Sequence, residues 1–372
     1  MAGPKSSGSY IGLALAGAML AVPHAASAQT DQADIEALPV APPGVALDDS
    51  QTLVRLAFGS CIGEEDSQAF WGPIAALHPQ LFIAMGDNVY GDAKWDGGAD
   101  LASFRNSYAT LAAHDEFARF RQAVPMLAVW DDHDFGPNDG GGDFIYKQST
   151  ETLFETFWDS SPRVRAHPGT YDSVMIGPDG RQVQLIMLDT RFFRSALTRL
   201  PEGDPRPGRY MASADPAAQM LGEAQWAWLQ AELARPADLR ILVSSIQVLS
   251  QAHGWEKWGN MPQERARLLD MLANRAGGET VILSGDRHRA AFYRDTLPGS
   301  GETIWEFTSS SLNKPSGPAS SPADEEPDAL RAFPMVREAN SGLIDIDWEA
   351  RKLTMRLLNA EGQQLHAQPI SF

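Results

Sequence analysis

Acidic, histidine and cysteine residues follow the strand-like apolar segments of this chain. They are Cys61, Asp87, Asp131, Asp132, His133, Asp189, Asp286 and His288. A single exposed aspartate is usually a surface group or a turn former, but repeated placement after strands predicts a shared site at a sheet edge. Carboxylates gathered there would repel one another in a medium of low dielectric constant, and bound cations relieve that repulsion. The pattern therefore predicts a polynuclear metal site, and its mixed O, N and S donors suit one harder and one more borderline metal.

The elements that must position these residues alternate between strand and helix patterns. Leu53–Gly59, Gln68–His78 and Leu81–Met85 read as strand, helix and strand within about thirty residues, which predicts a βαβ unit with parallel strands. Further predicted strands are Met126–Trp130, Arg181–Leu188, Ile241–Ser245, Thr280–Ser284, Thr303–Thr308, Leu343–Trp348 and Lys352–Leu358. Further predicted helices are Leu101–Arg121, Gln148–Trp158, Gly222–Leu233 and Pro262–Asn274. These patterns predict a single α/β domain over residues 51–372.

The first 28 residues have the pattern of a secretory signal peptide. Lys5 precedes the uncharged apolar stretch Ile11–Val22, and Ala26-Ser27-Ala28 is a small-x-small cleavage site. We expect cleavage before Gln29, a flexible lead-in over residues 29–50, and a periplasmic or secreted mature protein; the alternative is an uncleaved anchor. The apolar stretch is short for a membrane span, and no later segment qualifies.

Charge and cysteine content limit the partners. The formal net charge of −18 disfavours duplex nucleic acid or an anionic membrane surface as the main partner. An anionic small substrate remains compatible, because bound cations reverse the sign of the local field. Cys61 is the one cysteine, so it cannot form an intramolecular disulfide. From composition alone it is either a small buried hydrophobe or a ligand.

Five motifs in order resemble a known family. They are Phe58-Gly59-Ser60-Cys61, Gly86-Asp87-x-x-Tyr90, Trp130-Asp131-Asp132-His133-Asp134, Leu188-Asp189-Thr190-Arg191 and Ser284-Gly285-Asp286-x-His288. The set looks like the PhoD-type alkaline phosphatases, a branch of the calcineurin-like metallophosphoesterases. The resemblance implies an α/β/β/α sandwich, in which two mixed sheets lie face to face between helices. It also implies hydrolysis of small phosphate esters, by a hydroxide that metals make available from water.

The resemblance also implies roles for individual residues. The implied metals are Fe³⁺ and Ca²⁺, with other divalent metals as alternatives. The implied metal ligands are Cys61, Asp87, Tyr90, Asp132, Asp286 and His288, with Asp87 bridging two metals. Among the catalytic residues that the resemblance implies, His133 is expected to lie near the leaving group, with Asp131 orienting it, and Asp132 is expected to bind a metal or to support a ligand. Asn138 and Arg191 are expected to hold phosphate oxygens.

Two departures from the family pattern leave alternatives open. The lead-in is shorter than the N-terminal β domain of Bacillus-type members, and no twin arginine precedes the apolar stretch. The usual Trp-Asp-Gly-Tyr-Pro block appears here as Trp258-Gly259-Asn260-Met261-Pro262. If the missing aspartate serves a metal, either Glu256 or Asn260 replaces it or one metal is lost. The alternative functions are an extracellular phospholipase or nuclease at the same site, or a non-catalytic metal-binding relative. The oligomeric state is not predicted.

Overall fold

The computed structural model describes Met1, Gly3 and residues 38–204, 207–321 and 325–372. Apart from Met1 and Gly3, the predicted signal peptide and residues 29–37 lie outside the described residues, so the boundaries at residues 28 and 50 stay predictions. Residues Leu38–Phe372 form one unit. In its first segment the backbone N–H of Ala41 donates to Phe157 O at 2.9 Å, and that of Val45 donates to Arg121 O at 2.9 Å.

The strands of the described residues form two six-stranded mixed sheets. In chain order they are β1 (Arg55–Gly59), β2 (Phe82–Met85), β3 (Met126–Val129), β4 (Asp172–Ile176), β5 (Val183–Met187), β6 (Leu239–Ser244), β7 (Glu279–Ser284), β8 (Ala290–Thr296), β9 (Thr303–Ser309), β10 (Asn340–Asp347), β11 (Lys352–Asn359) and β12 (Gln364–Ser371). The first sheet has the order β12-β11-β10-β1-β2-β3, and β1, β2 and β3 are parallel. The second has the order β4-β5-β6-β7-β9-β8, and β5, β6, β7 and β9 are parallel.

Helices cover the outer faces of both sheets. In chain order they are α1 (Trp71–Ala75), α2 (Ala102–Ala112), α3 (Asp115–Ala123), α4 (Asp132–Phe135), α5 (Lys147–Trp158), α6 (Gly222–Leu233) and α7 (Pro262–Ala273). Short 3-10 turns lie at Gly91–Lys94, Val164–Ala166 and Trp258–Asn260. The described residues contain no helix with the length and apolar character needed to cross a membrane.

Alternating side chains along the strands build three apolar layers. Phe58 of β1 points into the layer between the sheets, where it meets Phe307 of β9 edge-on with ring centroids 4.9 Å apart. Ala57, its neighbour, belongs to the layer under α1 to α3 and α5, which contains Trp71. The third layer lies between the second sheet and α6 and α7, around Trp226. Because strand side chains alternate between faces, each sheet can be covered on both sides. The predicted α/β/β/α sandwich is confirmed.

Local differences from the predictions have physical reasons. The predicted helix Leu101–Arg121 is two helices, because His114 adopts an extended ψ of 121° between them. The His114 ring Nε2 lies 2.7 Å from Glu64 O, which holds the break in place. The short or polar strands β4, β8 and β12 were not predicted. In β12 most side chains are exposed or half-buried, so the segment lacks the alternation that marks a strand.

Candidate metal centre

The carboxyl ends of strands from both sheets meet at one edge of the sandwich. Asp87 follows β2 and Asp132 follows β3 in the first sheet, whereas Asp286 follows β7 in the second. Backbone hydrogen bonds join the loops: Cys61 N–H donates to Gly86 O at 3.3 Å, and Gly285 N–H donates to Ser245 O at 2.9 Å. Parallel strands deliver their C-terminal residues to one edge, so the predicted gathering of these residues follows directly from the topology.

Gly86 allows Asp87 to approach the loop that follows β3. Its φ is +99°, and a Cβ built on it would lie 2.5 Å from Asp131 Cβ and 2.8 Å from Asp131 N. No larger residue fits at that distance without moving the backbone of Asp131. The glycine before Asp87 is therefore required by the close packing of two loops that carry carboxylates.

Asp87 lies between a sulfur, a phenol and an imidazole. Cys61 Sγ is 3.3 Å from Asp87 Oδ2, and the Tyr90 hydroxyl is 3.4 Å from the same oxygen. The Tyr90 hydroxyl is also 3.0 Å from His288 Nε2. One donor atom from each of Cys61, Asp87 and His288 lies within 4.8 Å of the others. These four side chains offer S, O and N donors to one borderline metal.

A second group of donors shares Asp87 and consists mainly of carboxylates. Asp87, Asp132 and His133 offer atoms within 4.8 Å of one another, as do Asp131, Asp132 and Asp286. Asp87 belongs both to the group with Cys61 and His288 and to the group with Asp132 and His133, and Asp132 links the latter to the group with Asp131 and Asp286. The described residues could therefore hold more than one cation at adjoining positions. Oxygen-rich positions of this kind suit a harder metal.

Several carboxylate oxygens of these groups have no hydrogen-bond partner although they are buried. They are Asp87 Oδ1, Asp131 Oδ2, Asp132 Oδ1 and Asp286 Oδ2. Burial raises the pKa of the Asp87 and Asp286 carboxyls well above the usual range, and neighbouring carboxylates reinforce the increase. Orphaned buried oxygens are costly unless a cation or a proton satisfies them. The donor set therefore fits bound metal ions.

Four ligand candidates have positive φ: Cys61, Asp87, Asp286 and His288, with φ of 61°, 49°, 68° and 53°. The left-handed region costs a non-glycine residue energy, so such residues persist only where the surrounding structure holds them. Here each residue lies at a sharp turn shortly after a strand. Backbone strain is thus concentrated where the side chains must converge.

His133 is held by an aspartate that the sequence did not single out. Its Nδ1 lies 2.6 Å from Asp92 Oδ1, on the 3-10 turn that follows Tyr90. The expectation that Asp131 orients His133 was wrong. Asp131 instead accepts hydrogen bonds from Arg191 Nε and Ser245 Oγ, both at 2.6 Å. Burial lowers the pKa of His133, but Asp132 and Asp92 outweigh burial and raise it to about 9.

Arg191 is fully buried and paired within the protein. Its Nη1 lies 2.7 Å from Glu256 Oε2, and its Nη2 lies 2.5 Å from Asp131 Oδ1. Arg194 Nη2 lies 3.1 Å from Glu256 Oε1. Burial raises the pKa of Asp131 to about 7, whereas the Arg191 guanidinium acts in the opposite direction. Contact between Arg191 and a phosphate stays a prediction.

Glu256 and Asn260 are the two proposed replacements for the aspartate missing from the Trp258–Pro262 block. Of these, Glu256 lies near the carboxylates of the centre. Glu256 offers an oxygen within 4.8 Å of donors from Asp132 and Asp139. Asn260 instead accepts a hydrogen bond at 2.7 Å from Lys257 N–H and caps its own turn. Asp139 was not predicted, although it follows Asn138 directly. Its backbone N–H donates to Asp132 Oδ2 at 2.7 Å and so fixes that carboxylate.

Two further predicted residues, Asp189 and Asn138, supply no donor atom to these groups of the described residues. Asp189 accepts backbone hydrogen bonds from Thr170, Arg191 and Phe192 at 2.9, 2.8 and 2.9 Å, so it shapes its own loop instead of joining the metal groups. Asn138 is exposed on the loop that follows α4. Its predicted contact with phosphate stays a prediction.

Known proteins resemble the chain in sequence and fold. The family model described as PhoD-like phosphatase matches residues 56–357. Alkaline phosphatase D of Bacillus subtilis (strain 168) is 23% identical over 276 residues, which cover 63% of this chain and 46% of that protein. The chain therefore spans about half the length of this curated relative.

A solved structure shares the architecture. A structure titled "Structure of PhoD" superposes with a TM-score of 0.65 at 16% identity, covering 90% of this chain and 70% of the other. A 5'-nucleotidase precursor from Thermus thermophilus covers 85% of this chain and 53% of its own, with 13% identity and a TM-score of 0.34, which is too low to carry an argument. At such identities the superposition shows the fold alone. The family match extends from β1 to β11 and includes every loop of the candidate centre, so the chain belongs to the PhoD-like phosphatase family.

Proposed function

We propose that this protein is a metal-dependent hydrolase of small phosphate esters, of the alkaline phosphatase type, with phosphodiesters as its second substrate class. The observation that carries the proposal is the set of buried carboxylate oxygens without a hydrogen-bond partner on Asp87, Asp132 and Asp286, beside the imidazole of His133. A buried acid cluster that needs cations, next to a group able to transfer a proton, suits the cleavage of an anionic ester.

The donor types divide the centre between two metals. Cys61, Asp87, Tyr90 and His288 are the proposed ligands of Fe³⁺, because phenolate and carboxylate oxygens suit this trivalent cation, and thiolate and imidazole also bind iron in proteins. Asp87, Asp132 and Asp286 are the proposed ligands of Ca²⁺, which prefers oxygen, and other divalent metals are the alternatives. When bound, such ions lower the pKa of water and stabilise negative charge on a phosphoryl group.

The protein's own residues orient the ester and move a proton. Because Asp92 occupies Nδ1 of His133, Nε2 is the nitrogen that can give a proton to the departing alkoxide. The Arg191 guanidinium favours the ionised forms of Asp131 and Glu256 and holds both side chains in place, and Asp139 fixes Asp132 through its backbone N–H. Asn138 is the exposed amide proposed to contact a phosphate oxygen.

Hydrolysis assays test the activity. We expect the purified protein to hydrolyse p-nitrophenyl phosphate, to lose that activity with a chelator and to regain it with added metal. Bis-p-nitrophenyl phosphate tests for phosphodiesterase activity. A phospholipid vesicle tests for phospholipase activity, and single-stranded DNA tests for nuclease activity. Inactivity on both nitrophenyl esters after metal supplementation would favour a non-catalytic metal-binding relative. Faster turnover of the vesicle or the DNA would replace the proposed substrate class.

Metal analysis with a visible spectrum tests the iron assignment. A tyrosinate bound to Fe³⁺ gives a broad charge-transfer band, so we expect a coloured protein and loss of the colour in Tyr90→Phe. Tyr146→Phe, at a half-buried tyrosine outside the donor groups, is the matched control and should keep the colour. A colourless, iron-free and fully active protein contradicts iron. We also propose that the protein acts in the periplasm or outside the cell, a location supported by the signal-like pattern of residues 1–28.

A further inference from the structure

The candidate centre opens to solvent beside Tyr90. Cys61, Asp87 and Asp132 are buried, whereas Tyr90, His133 and His288 are partly exposed and mark the mouth of the centre. The Tyr90 and His133 rings pack with centroids 4.3 Å apart. Lys314 Nζ lies 4.6 Å from the centroid of the Tyr90 ring. An ammonium group thus stands at the mouth, over a ring whose hydroxyl reaches Asp87 and His288.

The loop that carries Lys314 is fixed to both sides of the centre. Leu312 N–H donates to Ser60 O at 3.0 Å, next to Cys61. Ser316 N–H donates to His288 O at 2.9 Å. The Asn313 side chain accepts from Gly63 N–H at 2.7 Å and donates to Gly63 O at 3.0 Å. The backbone at Lys314 is therefore held between the loops of two proposed metal ligands, so the side chain extends from a fixed position beside the mouth.

Gly63 leaves room for the lysine stem. A Cβ on Gly63 would lie 2.6 Å from Lys314 Cε and 2.3 Å from Asp66 Oδ2. The partner of the ammonium is Asp66, whose Oδ2 lies 3.4 Å from Nζ. The side chain of Asp66 is 52% exposed and that of Lys314 is 36% exposed, so this ion pair is weak and a stronger anion can replace it.

The neighbouring arginines are already committed to protein carboxylates. Arg191 pairs with Asp131 and Glu256 inside the protein. Arg287 Nη2 lies 2.7 Å from Glu326 Oε1 and is almost fully buried. Lys314 combines a fixed backbone, partial exposure and a weak partner, which neither arginine does. The ammonium over the Tyr90 ring is thus placed to contact a substrate phosphate that enters past Tyr90.

We propose that Lys314 binds a non-bridging oxygen of the substrate phosphate and makes the centre favour dianionic monoesters over monoanionic diesters. This inference rests on the proposed hydrolase function and specifies its substrate class. Coulomb attraction scales with the charge of the substrate, so one added ammonium discriminates a dianion from a monoanion. The effect is one of binding and leaves the chemical step to the buried centre.

The test is a comparison of KM and kcat for p-nitrophenyl phosphate and bis-p-nitrophenyl phosphate. Lys314→Met keeps the stem and removes the charge. We expect its KM for the monoester to rise about tenfold and that for the diester by no more than about threefold, with kcat for both within about threefold of wild type. Lys314→Arg should recover most of the monoester KM. Asp66→Asn removes the competing carboxylate, so it should lower the monoester KM, by about twofold.

A matched control comes from the same surface. Lys94 is an exposed lysine paired with Glu65, the neighbour of Asp66, and its side chain is 71% exposed. Lys94→Met should leave both KM values unchanged. Equal KM changes for monoester and diester in Lys314→Met, or an unchanged monoester KM, would overturn the inference about Lys314. The hydrolase proposal would still stand in that case, because it depends on the activity of the wild-type protein. Inactivity of wild type on both esters would instead remove the hydrolase proposal.

Discussion

Nδ1 of His133 lies 2.6 Å from Oδ1 of Asp92, and the two side chains are only 17% and 11% exposed. The pair joins the start of α4 to the 3-10 turn that follows Tyr90. The contact fixes the imidazole and commits Nδ1 to the protein, which leaves Nε2 as the nitrogen proposed to act on substrate. The orientation of His133 therefore depends on the loop of Tyr90, which also supplies a proposed iron ligand.

Asp92→Asn should slow turnover without weakening substrate binding. We expect kcat to fall about 10- to 100-fold and KM to change by less than about threefold, because the imidazole loses its anionic partner. Asp132 and Asp92 raise the pKa of His133 to about 9 against the effect of burial, so the protonated form persists to alkaline pH. Loss of Asp92 lowers that pKa, and the alkaline limb of the kcat profile should shift to lower pH.

The control for this variant is Asp96→Asn, at an exposed aspartate four residues later. It should leave both kcat and the pH profile unchanged. An Asp92→Asn enzyme whose alkaline limb stays in place would mean that His133 is not the group that titrates there.

Arg191→Met should destabilise the fold. Removing one partner of a buried ion pair leaves uncompensated charge, here on Asp131 and Glu256, and we expect a loss of about 3–5 kcal/mol in the free energy of unfolding. Urea denaturation measures the loss. Arg119→Met, in an exposed pair with Glu116, should cost less than about 0.5 kcal/mol.

A double variant separates charge burial from phosphate binding at Arg191. Arg191→Met with Glu256→Gln should recover part of the stability, because one of the two buried anions is removed. If Arg191→Met instead keeps wild-type stability and only raises KM, then Arg191 contacts the phosphate and does not serve mainly to neutralise the acids.

Glu151→Gln should change how stability depends on pH. Burial, with added repulsion from Glu155 and Asp189, raises the pKa of Glu151 to about 7, against an ordinary value of 4.5. A raised carboxyl pKa means that the folded protein binds the proton more tightly, so this group reduces stability as pH rises from 4.5 through 7. Gln keeps an acceptor for the Gly169 N–H and carries no charge.

We therefore expect Glu151→Gln to be more stable than wild type at pH 8.5 by about 1 kcal/mol, a value reduced for the partial exposure of the side chain, and no more stable at pH 5. Urea denaturation at the two pH values measures this. Glu361→Gln, at an exposed glutamate, is the control and should not alter the pH dependence. Equal stability of Glu151→Gln and wild type at both pH values would show that the Glu151 pKa is not raised.

The sequence predicted the convergence of Cys61, Asp87, Asp132 and Asp286 because each closely follows a parallel strand, and the sheet topology brings such strand ends together. It did not predict Asp92, whose role depends on a side-chain contact across 41 residues. Arg194 was missed for the same reason, since its partner Glu256 lies on a different loop. Long-range side-chain contacts leave no periodic pattern in the sequence.

The strands, like the site residues, were predicted where the local sequence pattern was strong and missed where their conformation depends on distant contacts. The strong strands β1, β2 and β7 are short apolar runs and were predicted. The edge strand β12 is polar and, among the strands of the described residues, pairs only with β11, so its strand conformation comes from the neighbouring backbone and not from its own pattern. Gly86 was visible in its motif, but its close approach to Asp131 could be seen only once β2 and β3 were placed side by side.

Asp87 is the residue proposed to connect the metal positions of a hydrolytic centre. The most direct test is kcat for p-nitrophenyl phosphate in metal-reloaded Asp87→Asn, with circular dichroism and urea unfolding confirming an intact fold. We expect kcat to fall by about a thousandfold or more, because one carboxylate shared by two donor groups is lost. A folded Asp87→Asn protein with near-normal turnover would contradict the proposed centre.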